Sequence, residues 1–372
     1  MTLRFGLRRW LVIALALLAS VAMGPEVVRL VQAKRFLTGL AAAKPASADE
    51  ALLEAELTLS GPHGPFRARV YRPAGGARAP GIVVAHGVHY QGIDERRLVP
   101  FVRALARSGF VVLTPELSEL ADYRLTWDSV ERIRAAVLFL SSRRDWTANE
   151  RPGLLGFSFA GGLALVAASE ASLAGHLSYV VSVGGHHDLT RVLGFLLNDE
   201  IMTPSGRVHM RAHDYGLAVV LYGHLEEFVP LAELPLAKNA LRAWLHEDQK
   251  TARALGAALP QGTESARLFQ LLAEHRLQTL GPRLNALVAR DRGELDALSP
   301  KGKLASIEVP IYLLHGAHDS VIPPSETTFA ELEIGARQHA ALISPLIEHV
   351  EVGPSERLYD KLALLAFMAH LF

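Results

Sequence analysis

Leu154-Leu155-Gly156-Phe157-Ser158-Phe159-Ala160-Gly161-Gly162 is the stretch on which the reading of this chain turns. Gly153 to Phe157 is a short apolar run of the length of a buried strand, and a run of small residues from Ala160 to Leu173 has the composition of a tightly packed helix. The serine stands where strand gives way to helix, with a glycine two places before it and an alanine two places after. Such a turn is sharp, so the positions two away on either side crowd each other and must be small. It also aims the start of the helix at the serine. There the first backbone N–H groups and the helix dipole favour negative charge.

The same alternation extends on both sides. Upstream, Leu52–Ser60 and Pro65–Pro73 read as two strands around the turn Gly61-Pro62-His63-Gly64. Gly81–Ala85 is a β-branched apolar run suited to a buried parallel strand. A helix is expected near Arg96–Ser108, with Leu98, Phe101, Val102 and Leu105 on one face and Gly109 ending it. Phe110–Leu113 (strand) and Val130–Ser141 (helix) follow. Downstream come strand Tyr179–Val183, strand Pro310–Leu314, helix Ser325–Gln338, strand Ala340–Ile343 and a closing helix Ser355–Phe372. Strands alternating with helices predict an α/β fold, a mostly parallel doubly wound sheet with helices on both faces. One segment breaks the rhythm. From Leu189 to Ala305 helical patterns dominate, as in Ala237–Leu255 and Ser265–Ala289, with little strand signal. Core strands are needed on both sides of it, which predicts an inserted helical cap rather than an independent domain. The expected organisation is 1–50 as signal or anchor and linker, 51–188 as the first part of the core, 189–305 as the cap and 306–372 as the second part of the core.

Composition narrows the chemistry. Of 372 residues half are hydrophobic and 20% are charged, enough to bury a sizeable core. Lys plus Arg equals Asp plus Glu at 38 each, so no basic field points to nucleic acid. With no cysteine, a thiol nucleophile, a disulfide framework and a thiolate metal site are excluded.

Gly156-Phe157-Ser158-Phe159-Ala160 resembles the G-x-S-x-G nucleophile elbow of the α/β-hydrolase superfamily, with Ala160 where the second glycine usually stands. Val83-Val84-Ala85-His86-Gly87-Val88 resembles the His-Gly segment after the third strand of that family. Pro310 to Pro324, with Asp319 beyond Gly316, resembles its acid loop after the seventh strand. The order nucleophile, acid, histidine is the family's as well. The resemblance covers roughly residues 55–190 and 305–372, and places the cap between core strands 6 and 7. It implies Ser158 as nucleophile, Asp319 as acid and His349 as base. The oxyanion would rest on the backbone N–H groups of Val88 and Phe159, with His86, Gly87 and Gly156 supporting. Asp188 is the alternative acid. Among 16 histidines, His349 is the one that follows the last strand in a loop; His339 precedes that strand and His370 lies in the final helix. Glu348 stands where the family usually has glycine.

The implied activity is hydrolysis of a carboxylic ester, or a related acyl compound, through an acyl-enzyme on Ser158, with no cofactor. The alternatives are a thioesterase, acyltransferase or peptidase with the same triad, or a non-catalytic relative that binds a ligand or a membrane partner. His89 and Tyr90, and His186 and His187 in Gly184-Gly185-His186-His187-Asp188, are candidates for lining the substrate pocket. No second histidine–carboxylate cluster matches them, so no metal is expected. Asp214-Tyr215-Gly216 and His224–Phe228 are the cap's candidates for facing substrate.

At the N-terminus Arg4, Arg8 and Arg9 precede a mostly apolar run from Trp10 to Met23, about 14 residues, in the shape of a secretory signal. Ser20 and Ala22 would suit cleavage after Ala22. The apolar pattern continues to Leu30 and Val31, which would make the segment an uncleaved anchor. Arg29, Lys34 and Arg35 on its far side oppose the default orientation. The expectation is membrane attachment by this one segment, or export after its cleavage, with the body outside the cytoplasm. The stretch Lys34–Glu50 reads as a linker or a loosely docked helix.

Overall fold

The computed structural model describes residues 26–40, 51–337, 339–348, 351–352 and 357–372. The apolar run Trp10–Met23 and His349 lie outside them. The first described element is helix α1, residues 26–40. The strands that follow are β1 (Leu52–Gly61), β2 (Gly64–Pro73), β3 (Gly81–Ala85), β4 (Val111–Pro115), β5 (Gly153–Phe157) and β6 (Tyr179–Val183). A small hairpin, β7 (Glu200–Thr203) and β8 (Gly206–His209), precedes the last two core strands, β9 (Ile311–Gly316) and β10 (His339–Ser344). Eight of these form one sheet in the order β1-β2-β4-β3-β5-β6-β9-β10. β1 and β2 pair antiparallel, as do β2 and β4, and every neighbour from β4 to β10 is parallel.

Alternation of side chains along each strand divides the core in two. Leu154, Val180, Ile311 and Leu313 face one side, together with α4 (Trp127–Ser142) and α5 (Phe159–Ser169). Leu155, Val181, Tyr312 and Leu314 face the other, covered by α1, α2 (Leu98–Arg107) and α14 (Leu358–Met368). One further short helix, α3 (Ser118–Ala121), follows β4, and α13 (Ser325–Ile334) lies between β9 and β10.

Between β6 and β9 the chain forms α6 (Leu189–Asn198), the β7–β8 hairpin, α7 (Asp214–Gly223), α8 (Leu234–Leu245), α9 (Gln249–Ala257), α10 (Glu264–Ala273), α11 (Gly281–Arg290) and α12 (Arg292–Ala297). The two long helical patterns seen in the sequence are each broken. Glu247 has φ 62° and Asp248 caps α9 by accepting from Thr251 N–H; His275 has φ 56°, and Pro282 sits in the first turn of α11. The insert's apolar residues, Leu217, Leu241 and Leu284 among them, share the core cluster of α4 and α5.

The N-terminal helix is not loosely docked. Ala33 and Phe36 are fully buried. The Phe36 ring meets Phe101 edge-on at 5.3 Å and lies 6.2 Å from Phe372. Periodicity within 34–50 could not show this, because both partners are distant in sequence. Among the described residues no helix is long and apolar enough to cross a membrane.

Candidate active site

Ser158 occupies the junction of β5 and α5 with φ 53° and ψ −133°, a left-handed conformation that a residue with a Cβ adopts only where its surroundings impose it. Its N–H donates to Val183 O at 2.8 Å, which ties the turn to the next strand. A Cβ on Gly156 would come within 2.2 Å of Ala160 O, one on Gly161 within 2.7 Å of Ser182 Oγ, and one on Gly162 within 2.2 Å of the His186 ring. The crowded positions are therefore 156, 161 and 162, and Ala160 fits, fully buried, where a glycine was expected. Phe159 is the first residue of α5, so its N–H has no acceptor one turn earlier within the helix.

The segment after β3 packs on this elbow. A Cβ on Gly87 would stand 3.2 Å from Ser158 Cβ and 3.3 Å from Phe157 O, so glycine permits the approach. Buried His86 holds the segment in place: its Nδ1 hydrogen-bonds Gly87 O at 2.8 Å, and its Nε2 accepts from Leu117 N–H at 2.9 Å. Those partners require the tautomer with the proton on Nδ1. From the insert, the Tyr215 hydroxyl donates to Val88 O at 3.1 Å. Burial pushes the Tyr215 hydroxyl pKa up, so it stays a donor.

Asp319 is buried beyond the end of β9. Its Oδ1 accepts from the N–H groups of Val321 at 2.9 Å and Ile322 at 3.0 Å, which fixes the plane of the carboxylate. His315 packs behind it, bonding Ile322 O and Thr327 Oγ1. Asp188, the alternative acid, is occupied elsewhere. It caps α6 through Arg191 N–H and pairs with Lys301 Nζ at 2.8 Å. The β-ladder brings the two segments together: Phe157 pairs with Val183 and Val183 with Leu314. Both Ser158 and the Asp319 loop thus leave the same edge of the parallel sheet, two strands apart. After β10 the backbone pairs Ile347–Glu348 with Glu351–Val352. His349 lies between them, outside the described residues, and buried Leu346 and Ile347 just before it line the same cavity as Ser158.

The nucleophile candidate thus follows the fifth core strand, the acid candidate the seventh, the base segment the eighth, and the helical insert separates the sixth from the seventh. This is the α/β-hydrolase fold. No family model matches the sequence, and no curated protein does. Among solved structures, a hypothetical protein from Pseudomonas aeruginosa is similar at 18% identity and a TM-score of 0.49, over 88% of this chain and 97% of that one. An esterase from Pyrobaculum calidifontis is similar at 18% identity and a TM-score of 0.45, over 97% of each chain. An acylaminoacyl peptidase from Pyrococcus horikoshii is similar at 12% identity and a TM-score of 0.43, over 79% of this chain and 37% of that one.

Ser158 opens onto a cavity of about 1380 Å³. His86, Gly87, Val88 and His89 contribute to its wall. Burial lowers the His89 pKa, and its Nδ1 accepts from Gln91 N–H, so the ring is a neutral one. Tyr90 stacks between His89, at 4.6 Å, and His246 of the insert, at 4.0 Å. His186 and His187, in contrast, do not line the cavity. His186 donates from Nε2 to Leu298 O at 3.0 Å, and His187 bonds Glu333 at 2.7 Å and Arg191 at 3.1 Å. They join the insert's return to the core, and their partners, more than a hundred residues away for His186, could not be read locally. Nor does any residue of the insert line the cavity among the described residues. The insert reaches the Val88 segment through Tyr215.

Proposed function

We propose that this α/β-hydrolase is a serine hydrolase that cleaves a carboxylic ester, or a related acyl compound, through an acyl-enzyme on Ser158. The observation that carries the reading is the strained elbow that presents Ser158 to an apolar cavity while the Gly87 segment packs against it. In this reading His349 takes the proton from the Ser158 hydroxyl as its oxygen attacks the carbonyl carbon. The oxyanion is held by the N–H groups of Val88 and Phe159. His349 then gives its proton to the departing alcohol. Water, deprotonated by the same histidine, releases the acid and restores the serine. Asp319, with Oδ1 already held by two N–H groups, orients the imidazole. Ser158→Ala tests this with p-nitrophenyl esters: kcat/KM should fall by about 10⁴-fold or more at an unchanged melting temperature. Retention of more than a tenth of the activity would refute it.

The basic flank and the Trp10–Met23 run support a further part of the proposal, that the protein is membrane-attached or exported. Cell fractionation tests this, and protein found wholly in the cytosol would reject it.

A further inference from the structure

We propose that the cavity beside Ser158 is an acyl chamber, and that the ester this protein takes carries a long hydrocarbon acyl chain; this rests on the reading of Ser158 as nucleophile. At about 1380 Å³ the cavity exceeds the roughly 300–1,000 Å³ of ordinary small-molecule sites. Close-packed interiors do not leave such spaces without use, since the lining atoms lose their contacts.

The cavity runs from Ser158 and Val88 along the face of the sheet, where Leu155, Val181, Val183 and Leu314 form its floor. Helices α1, α2 and α14 form the opposite walls, through residues such as Leu37, Phe101 and Leu365. Phe157, next to the serine, meets Phe101 edge-on at 4.9 Å, and Phe101 meets Phe36 in turn, so aromatic rings line the route away from the serine. The acidic group in the wall is already committed: Glu95 accepts from the N–H groups of Arg97 and Leu98 and pairs with the Arg97 side chain. Apolar side chains make up most of the rest of the lining, with Lys34, Arg97 and Lys361 as its cations.

Leu358 and Leu362 of α14 line the cavity and are also 69% and 53% exposed. An apolar lip open to solvent suits entry of a chain that is itself poorly soluble in water. On this account chain length is read by the first and last helices of the protein, not by the insert.

Two measurements on the full chain test the proposal. The first is turnover of p-nitrophenyl esters from two to twelve carbons, by wild type and by the filling variants Leu37→Trp and Leu365→Trp. Wild-type kcat/KM should rise with acyl length, up to the roughly fourfold per methylene that burial of each group allows. Each filling variant should lose at least tenfold on the twelve-carbon ester and stay within about twofold on the two-carbon ester; equal loss on both esters at an unchanged melting temperature would overturn the chamber. The second is binding of the fluorescent fatty acid cis-parinaric acid to Ser158→Ala, which needs no catalysis. Saturable binding weakened at least tenfold by Leu365→Trp in the same background supports the chamber. A two-carbon optimum with no binding of the fatty acid overturns the chamber while leaving the hydrolase reading intact. Bound fatty acid with no ester cleaved overturns the hydrolase reading, and with it the acyl role of the cavity.

Discussion

Ser158 sits in a backbone conformation that costs on the order of 1–3 kcal/mol, and four neighbours accommodate it. Gly156, Gly161 and Gly162 allow contacts that no side chain could share, and Val183 O takes the serine N–H. This much was legible in the residues, because a strand, a turn and a helix are local. The strand end and glycine turn that lead to Asp319 were legible for the same reason. The positions that the elbow demands to be small were only partly so: Ala160 looked like a departure, and the packing shows the demand falling instead on the glycines at 161 and 162. Tyr215 was visible as a candidate for facing substrate, but its contact is with Val88 O, so we assign it to positioning the Val88 segment. Tyr215→Phe should lower kcat about three- to tenfold with KM nearly unchanged, because the hydroxyl touches the loop and not the cavity. Steady-state kinetics decide this, and a change confined to KM would show that Tyr215 contacts substrate.

Helix α1 is the element whose role differs most from its sequence reading. Its buried face, Ala33 and Phe36, belongs to the core, while Val27, Val28, Leu30 and Val31 are exposed. Local periodicity does not distinguish a helix that packs on Phe101 and Phe372 from one that trails loosely. Chains beginning at residue 26 and at residue 46 compare the protein with and without this helix. A chain beginning at residue 46 should lose on the order of 3 kcal/mol or more, as when a buried phenylalanine is removed. Equal unfolding midpoints for the two truncations would show that α1 adds nothing to the fold. The insert teaches the converse lesson. Its helical character was readable from periodicity, but its helix breaks were not, since Glu247 and His275 take positive φ where no glycine marks the turn.

Across the whole molecule, one polar network closes the insert back onto the sheet. His186 reaches Leu298 O, His187 pairs with Glu333, Asp188 with Lys301, and fully buried Glu326 accepts from the backbone of His187 and Asp188 and from Arg191. Burial lowers the His186 pKa to about 4. Between that value and the unfolded histidine value near 6.5, the unfolded chain binds a proton that the folded chain does not, so stability falls as pH falls through this window. The contribution of this one residue is roughly 3 kcal/mol by pH 4. Denaturant midpoints at pH 7 and pH 4.5 should differ more for wild type than for His186→Gln; equal differences would show that His186 does not titrate as described.

The parallel sheet, its class and the place of the insert followed from the alternation of strand and helix patterns. The chamber did not, because its walls come from residues 26–40, 98–107 and 358–368, brought together only by the fold. Whether Ser158 is an activated nucleophile is read by treating the full-length protein with a fluorophosphonate and locating the adduct by peptide mass spectrometry. One phosphonylated site is expected, Ser158, formed rapidly in wild type and absent in Ser158→Ala. A protein that stays unlabelled, or an adduct on another residue that persists in Ser158→Ala, would contradict it.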